Sequence, residues 1–494
     1  MRCRHGESLR ISPANAARSG CHRGFAKIRR AHFFAALVRV SRHAQTGPLP
    51  AAQPDSLRRM QIQRAACALV LGCAWAGAGA KAQAQQDHTN LDEAKVGTYT
   101  LPALLAARDG TAVRNAAQWT AKRRPEILAL YQDQVHGHSP PAPKDLGFTV
   151  VEQDAHALGG TAHRKQVEVR FSRQPNRPVM HLLLYTPAAA KRPVPVFLAL
   201  HFNGNWAIVD DPAVRLYDIW DRKTRQRAKP AADVKRGTSK EWDVAAVLAR
   251  GYGIAAIHYG DIEPDFEAGA GQSLGVRALF AKPGQTERAP DDWGAIGAWA
   301  WGMSRGLDYL LTDPDVDGKK VIAVGQSRLG KTVLWAGAQD QRFAMVVASC
   351  SGEGGAALSR RDYGENLDNM TTRYLYQFSE NFRRFHQHWN DLPVDAHMLL
   401  ALIAPRPLLL NTGSEDKWSD PRGEFLAAQA ASPAWALFGK KGLAGEAQPL
   451  LDTPLLRDVG FHEHTGRHAI LATDWKVFLD FADSHLPGAP RPHK

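Results

Sequence analysis

The chain has 494 residues and a formal charge of +13, a size that permits a large core and a charge that ordinarily suggests nucleic acid or a membrane surface as partner. The charge is unevenly placed: residues 1–84 carry 14 Lys and Arg against 2 Asp and Glu, leaving 48 against 47 for residues 85–494. The basic character belongs to the leader, which removes the main support for a nucleic-acid partner.

The leader is read from Met60. MQIQRAACALVLGCAWAGAGAKAQA places Arg64 in a short n-region, then an apolar run, then small-residue cleavage patterns at Ala80-Lys81-Ala82 and Ala82-Gln83-Ala84, the pattern of a secretory signal peptide. Residues 60–84 are therefore predicted to be the signal peptide, 1–59 an over-extended and disordered N-terminus, and 85–494 one catalytic domain exported to the periplasm or medium. The apolar run is short for a membrane span, and no other run is long or apolar enough. Cys3, Cys21, Cys67 and Cys73 lie in the discarded part. Only Cys350 remains, so no intramolecular disulfide framework is expected and the core must hold the exported chain together.

After a polar stretch, Trp119 to Gln132 is predicted as a helix that ends before the loop GHSPPAPKD. Apolar, β-branched runs then recur as GFTVV, KQVEVRF, MHLLLYT, PVFLALHF, GIAAIHYG, KKVIAVG, AMVVASC and RPLLLNTG. Helix-periodic segments stand between the later runs: WGAIGAWAWGMSRGLDYLL, LGKTVLWAGAQD, GEFLAAQAA and DWKVFLDFADSHL. Adjacent early strands followed by strand–helix alternation predict an α/β fold: a three-layer sandwich with a mixed, mostly parallel sheet, the layout of α/β-hydrolases. Insertions near 204–245 and 261–290 are predicted to lie on the surface and to shape a substrate cleft.

The segment VGQSRLGKT, Val324 to Thr332, admits two readings. Gly325 to Thr332 satisfies the phosphate-loop pattern G-x-x-x-x-G-K-[ST]. The same residues put Ser327 where a strand hands over to a helix, as in a nucleophile elbow. A phosphate loop also needs a second strand ending in Asp to hold magnesium. AMVVAS instead runs into Cys350 and FLALHF into Asn203, and an exported protein meets little ATP. An esterase needs a serine, then an acid, then a histidine, and the chain supplies them in that order. Asp416 follows the strand RPLLLNTG, and His468 stands in GRHAILATDW before the last helix. His468 would take the proton of Ser327 while Asp416 fixes the imidazole tautomer. The motif departs from G-x-S-x-G, because Leu329 stands at the last glycine position and Gly330 follows it.

With these residues assembled, the chain resembles the bacterial glucuronoyl esterases, 4-O-methyl-glucuronoyl methylesterases of carbohydrate esterase family 15. The resemblance spans roughly residues 115–488 and includes RRPEIL, HFNGNW, DDWGAIGAWAWGMSRGLDYL, GQSRLGK, SGEGGAALSRR, DYGEN, LLALIAPRPLLL and SEDKWSDPRGEF. It implies an α/β-hydrolase that cleaves the ester between 4-O-methyl-glucuronic acid of glucuronoxylan and lignin alcohols, with no metal or organic cofactor. Ser327 is then the nucleophile and His468 the base, while Arg328 stabilises the oxyanion through its N–H and guanidinium. Lys331, Glu365 and Trp418 contact the sugar. Many members carry a Glu twenty-three residues after the serine, where this chain has Cys350, so Asp416 is expected to be the acid and Glu353 the alternative. Asp420, beside a proline, reads as a turn residue.

His462, His464 and His468 in FHEHTGRH invite a metal reading, but Gly466 interrupts any helix aligning the last two and no carboxylate or cysteine pattern completes a site. Gln377 in YLYQF departs from an aromatic-rich segment of the family and leaves that cleft wall open. The expected partners are glucuronoxylan and lignin–carbohydrate esters, with no nucleic acid, no membrane for the exported form, and a monomeric state. Two other readings keep the fold: an acetyl-xylan or broad-specificity carboxylesterase, and a noncatalytic carbohydrate binder.

Overall fold

The computed structural model describes residues 89–267, 273–282, 284–285 and 287–486. The segments predicted as an over-extended N-terminus, 1–59, and as a signal peptide, 60–84, lie outside the described residues. Nine strands form one sheet in the order β1-β2-β3-β7-β4-β8-β9-β10-β11. They are β1 (Gly147–His156), β2 (Ala162–Arg170), β3 (Val179–Pro187), β4 (Val194–His201), β7 (Gly253–His258), β8 (Val316–Gln326), β9 (Met345–Ser349), β10 (Leu408–Gly413) and β11 (Val459–His464). Neighbours from β1 to β7 pair antiparallel and those from β7 to β11 pair parallel. A short hairpin, β5 (Ile219–Trp220) and β6 (Arg227–Ala228), stands apart from this sheet.

Strand periodicity divides the core into two layers. On one face Val321, Ala323, Val346, Ala348, Leu408 and Leu410 pack with the helices α3 (Ala295–Leu310), α4 (Arg328–Gln339) and α5 (Pro421–Ala431). On the other, Phe197, Ile322, Val324, Val347 and Leu409 meet α2 (Val244–Ala249) and α6 (Ala472–His485). Every residue of α3 except Asp308 is buried, which explains an apolar run too continuous for a surface helix. The N-terminal helix is a run of alternating turns. α-Helical Ala116–Gln118 and α1 (Arg124–Tyr131) alternate with wider π turns at Trp119–Arg123 and Gln132–His136. Pro125, with no N–H to give to the preceding turn, sits where the first wide turn ends.

Eight predicted strands are present. The ninth strand of the sheet, β11, is formed by VGFHEH, whose polar letters conceal a strand buried along its whole length. The insertion near 261–290 does not lie wholly on the surface, since Asp261 to Phe266 are buried. Its carboxylates account for this: Asp261 accepts from His181, Glu263 from Arg277, and Asp265 from Arg328, so charges that burial would penalise are each paired.

The register of the parallel strands positions the site. Gln326, Ser349, Asn411 and His462 stand side by side across β8, β9, β10 and β11. The chain therefore leaves the sheet at one level just before Ser327 and Cys350, and soon before Asp416 and His468. Among the described residues no helix is long and apolar enough to cross a membrane.

Candidate active site

Ser327 is the hinge between β8 and α4, with φ 60° and ψ −131°. A non-glycine residue there is strained, and the strain persists only where neighbours fix it. Ser327 N–H donates to Ser349 O at 2.8 Å, and its own carbonyl accepts from Lys331 N at 3.0 Å. Gly325 and Gly330 permit the sharp turn. A Cβ on Gly325 would stand 2.5 Å from Leu329 O, and one on Gly330 would stand 2.8 Å from Ser349 O. This explains the displaced glycine of the motif: the close approach to β9 falls at Gly330, while Leu329 is itself fully buried.

The phosphate-loop reading fails on the same segment. Helix α4 begins at Arg328, so the six residues that would cradle a phosphate are already strand, elbow and helix. Lys331 Nζ is bound to Glu365 at 2.9 Å, and Thr332 Oγ1 donates to Arg328 O at 2.8 Å. Both side chains are buried, and the Thr332 hydroxyl, given to the backbone, is not free for the metal that accompanies a bound nucleotide.

His468 Nδ1 lies 2.6 Å from Asp416 Oδ2 and 3.4 Å from Ser419 Oγ. Asp416 is buried while the His468 side chain is 38 % exposed. Burial opposes ionisation of Asp416, yet the hydrogen bond and charge of His468, with bonds from Ser419, hold its carboxyl below the usual range. An ionised carboxylate can only accept, so Nδ1 carries the proton and Nε2 keeps the lone pair. That is the tautomer a general base for Ser327 requires.

Glu353 is directed elsewhere. It accepts from Ser359 Oγ at 2.6 Å, and burial pushes its carboxyl up to about 8. Among the described residues His468 is bonded to Asp416 and Ser419, not to Glu353. Cys350 places its Sγ within 4.8 Å of the Asp416 carboxylate and the His468 ring. Burial raises the Cys350 thiol well above its ordinary value, so this position offers a neutral S–H where a carboxylate would compete for the imidazole. Thiol, carboxylate and imidazole are donor types that zinc accepts, but two of the three are already bonded to each other.

The Arg328 guanidinium is gripped by a residue the sequence did not single out. Arg328 Nη1 donates to both oxygens of Asp265, at 2.9 and 2.7 Å. Asp265 also accepts from Tyr259 Oη at 2.9 Å and Tyr376 Oη at 2.7 Å, and Arg222 Nε lies 2.9 Å away. The Tyr374 ring lies 5.7 Å from the Arg328 guanidinium carbon. Gln377 reaches Tyr376 Oη at 3.1 Å, so the YLYQF segment forms the wall behind Arg328. The only sequence signal for Asp265 was an acid in an insertion, which is too common to select.

The predicted sugar contacts gather one turn of α4 from Ser327. Lys331 bonds Glu365, whose N–H donates to Trp418 O at 2.7 Å. Gly364 has φ +69°, and a Cβ there would stand 2.4 Å from Lys417 O, so glycine lets the DYGEN and DKWSD segments touch. Trp418 is half-buried. Asp420 is a turn residue that caps α5 through Gly423 N and is paired with Arg361. The three histidines do not converge. His462 Nδ1 bonds Asn411 Oδ1 at 2.8 Å, His464 Nε2 bonds Arg467 O at 3.1 Å, and His468 faces Asp416.

The chain is similar to known proteins over most of its length. The profile of the family described as "Glucuronyl esterase, fungi" matches residues 285–439. Carbohydrate esterase MZ0003, from an unknown prokaryotic organism, is 44 % identical over 82 % of this chain and 94 % of its own. The structure of a glucuronoyl esterase from Solibacter usitatus is 48 % identical, covers 80 % of this chain and 100 % of its own, and superposes with a TM-score of 0.77. A structure described as a promiscuous CE15 esterase from a marine bacterial metagenome is 43 % identical, covers 81 % of this chain and 100 % of its own, with a TM-score of 0.74. An elbow serine after β8, an imidazole oriented by Asp416 after β10 and this likeness over four-fifths of the chain agree: the chain belongs to the glucuronoyl esterases of carbohydrate esterase family 15, carboxylic ester hydrolases of α/β-hydrolase fold.

Proposed function

We propose that the chain hydrolyses the ester between 4-O-methyl-glucuronic acid of glucuronoxylan and lignin alcohols, through an acyl-enzyme on Ser327. The observation that carries the reading is the 2.6 Å bond from His468 Nδ1 to buried Asp416, which leaves Nε2 basic on the level at which Ser327 leaves the sheet. His468 Nε2 takes the hydroxyl proton as Ser327 attacks the uronate carbonyl. The developing oxyanion is met by the Arg328 N–H and guanidinium, the latter held by Asp265. His468 then gives the proton to the departing alcohol. Water, deprotonated by the same imidazole, releases the uronate. Lys331, Glu365 and Trp418 form the uronate-binding side, where ion pair and indole offer polar and apolar contacts to a sugar ring. Export through the signal sequence and a monomeric state accord with a polymeric substrate outside the cell.

The test compares kcat/KM on benzyl glucuronate with that on an acetyl ester. The uronate ester should be favoured by about tenfold or more, since losing a set of polar contacts costs at least ~1.4 kcal/mol. Equal or faster turnover of the acetate overturns the reading in favour of a broad carboxylesterase. The 43 % identity to a protein described as promiscuous gives that second reading its footing.

A further inference from the structure

Residues 85–494 are almost neutral as a whole, yet Asp218 to Lys229 hold five cations, Arg222, Lys223, Arg225, Arg227 and Lys229, against Asp218 and Asp221. This is the β5–β6 hairpin, and residues 221–229 are all exposed. It is anchored on the buried loop segment Asp261 to Phe266, which also holds Arg328. Arg222 Nε pairs with Asp265, the carboxylate that grips Arg328. Trp220 packs edge-on against Phe266 at 5.7 Å, and the Arg225 guanidinium lies 5.7 Å from the same ring, with a further bond to Glu267 O at 3.3 Å. Asp218, Asp221 and Glu267 are the exposed acids here, and against five cations they leave the formal charge of this surface positive. The patch is therefore fixed one carboxylate away from Arg328, itself next to Ser327.

A charge concentrated beside a site attracts substrates of opposite sign and does little for neutral ones. An esterified uronate is neutral at its carboxyl, so the hairpin gains nothing from the scissile group. Unesterified uronates elsewhere on the same polysaccharide are anions. We propose that the β5–β6 hairpin is a docking surface for an acidic polysaccharide, binding free uronate groups of the chain that carries the ester. The inference rests on the glucuronoxylan reading above and names which part of that polymer the protein holds outside the reacting unit.

The test measures binding of the Ser327→Ala protein to glucuronoxylan and to the same xylan after carboxyl reduction. The comparison protein also carries Lys223→Gln, Arg227→Gln and Lys229→Gln. At ionic strength of about 0.01 M, where screening reaches ~30 Å, the triple substitution should weaken glucuronoxylan binding roughly fivefold and leave reduced xylan unaffected. At about 1 M, where screening reaches ~3 Å, the difference should vanish. A charge-preserving set, Lys223→Arg, Arg227→Lys and Lys229→Arg, should bind as the parent does. Unchanged affinity of the neutralised protein, or equal weakening on reduced xylan, overturns the proposal. Hydrolysis of benzyl glucuronate by the unaltered enzyme separately tests the reading beneath it, because that ester carries no free uronate.

Discussion

The division of labour among carboxylates is decided residue by residue. Asp416 is ionised and touches the imidazole, whereas Glu353 is buried, shifted up to about 8 and bonded to Ser359. Asp416→Asn should lower kcat by about 10⁴, because an amide leaves the imidazole in the wrong tautomer. Glu353→Gln should cost less than about tenfold, since it removes no bond to His468. Steady-state kcat on one uronate ester distinguishes the two, and a larger loss from Glu353→Gln reverses the assignment. A second expectation concerns Asp265. Asp265→Asn should reduce kcat by roughly 10²-fold with KM little altered, as loosening an oxyanion donor costs up to ~3 kcal/mol. In an Arg328→Ala background the same substitution should add almost nothing, a result that general loss of packing would not produce. The order of Ser327, Asp416 and His468 was legible in the sequence, and the fold adds that Asp416 lies 2.6 Å from the His468 ring. Asp265 was not legible there, because its role exists only through a guanidinium sixty-three residues downstream.

Among the elements, α4 and β9 are pressed together at the elbow. A Cβ on Gly330 would meet Ser349 O at 2.8 Å and Ser351 Cβ at 3.0 Å. Ser349 O is also the acceptor for Ser327 N–H, so displacing it disturbs the strained serine. Gly330→Ala should therefore destabilise the fold by about 1–3 kcal/mol and reduce activity together. Urea unfolding with parallel kinetics checks this, and an unaltered midpoint would contradict the packing argument. The helices that alternate polar and apolar faces, α4, α5 and α6, begin and end within a few residues of the sequence expectation. β11 was overlooked for a physical reason: His462 and His464 lie beside buried Asp474, at 3.4 and 3.1 Å, forming a polar network inside the core. Polarity in a strand reads as exposure until its partners are known.

At the scale of the whole molecule, buried acids govern the response to pH. Burial raises Glu353 and Glu424 from 4.5 to about 8, so the folded chain keeps protons that the unfolded chain has released between those values. Stability from these groups is full below about 4.5 and is lost as pH rises toward about 8. Asp416 has the opposite sign: its folded value is depressed, so its contribution is present above the ordinary 3.8 and disappears as pH falls through the lowered value. The Tm should decline by about 5 °C or more between about pH 5 and pH 8. Glu353→Gln with Glu424→Gln should flatten that decline, and calorimetry across the range would refute the argument if the slope persisted. By itself the sequence determined the α/β alternation, the elbow, the order of Ser327, Asp416 and His468, and the family, because each is a local or sequential property. The tertiary structure alone decided which carboxylate reaches the imidazole, what grips Arg328, and where the basic hairpin is anchored. Those are through-space pairings at the ends of different strands and loops, and their energies depend on burial that no single segment encodes. The lysine and threonine that complete a phosphate-loop pattern along the chain are, in the fold, already spent on Glu365 and the backbone of Arg328.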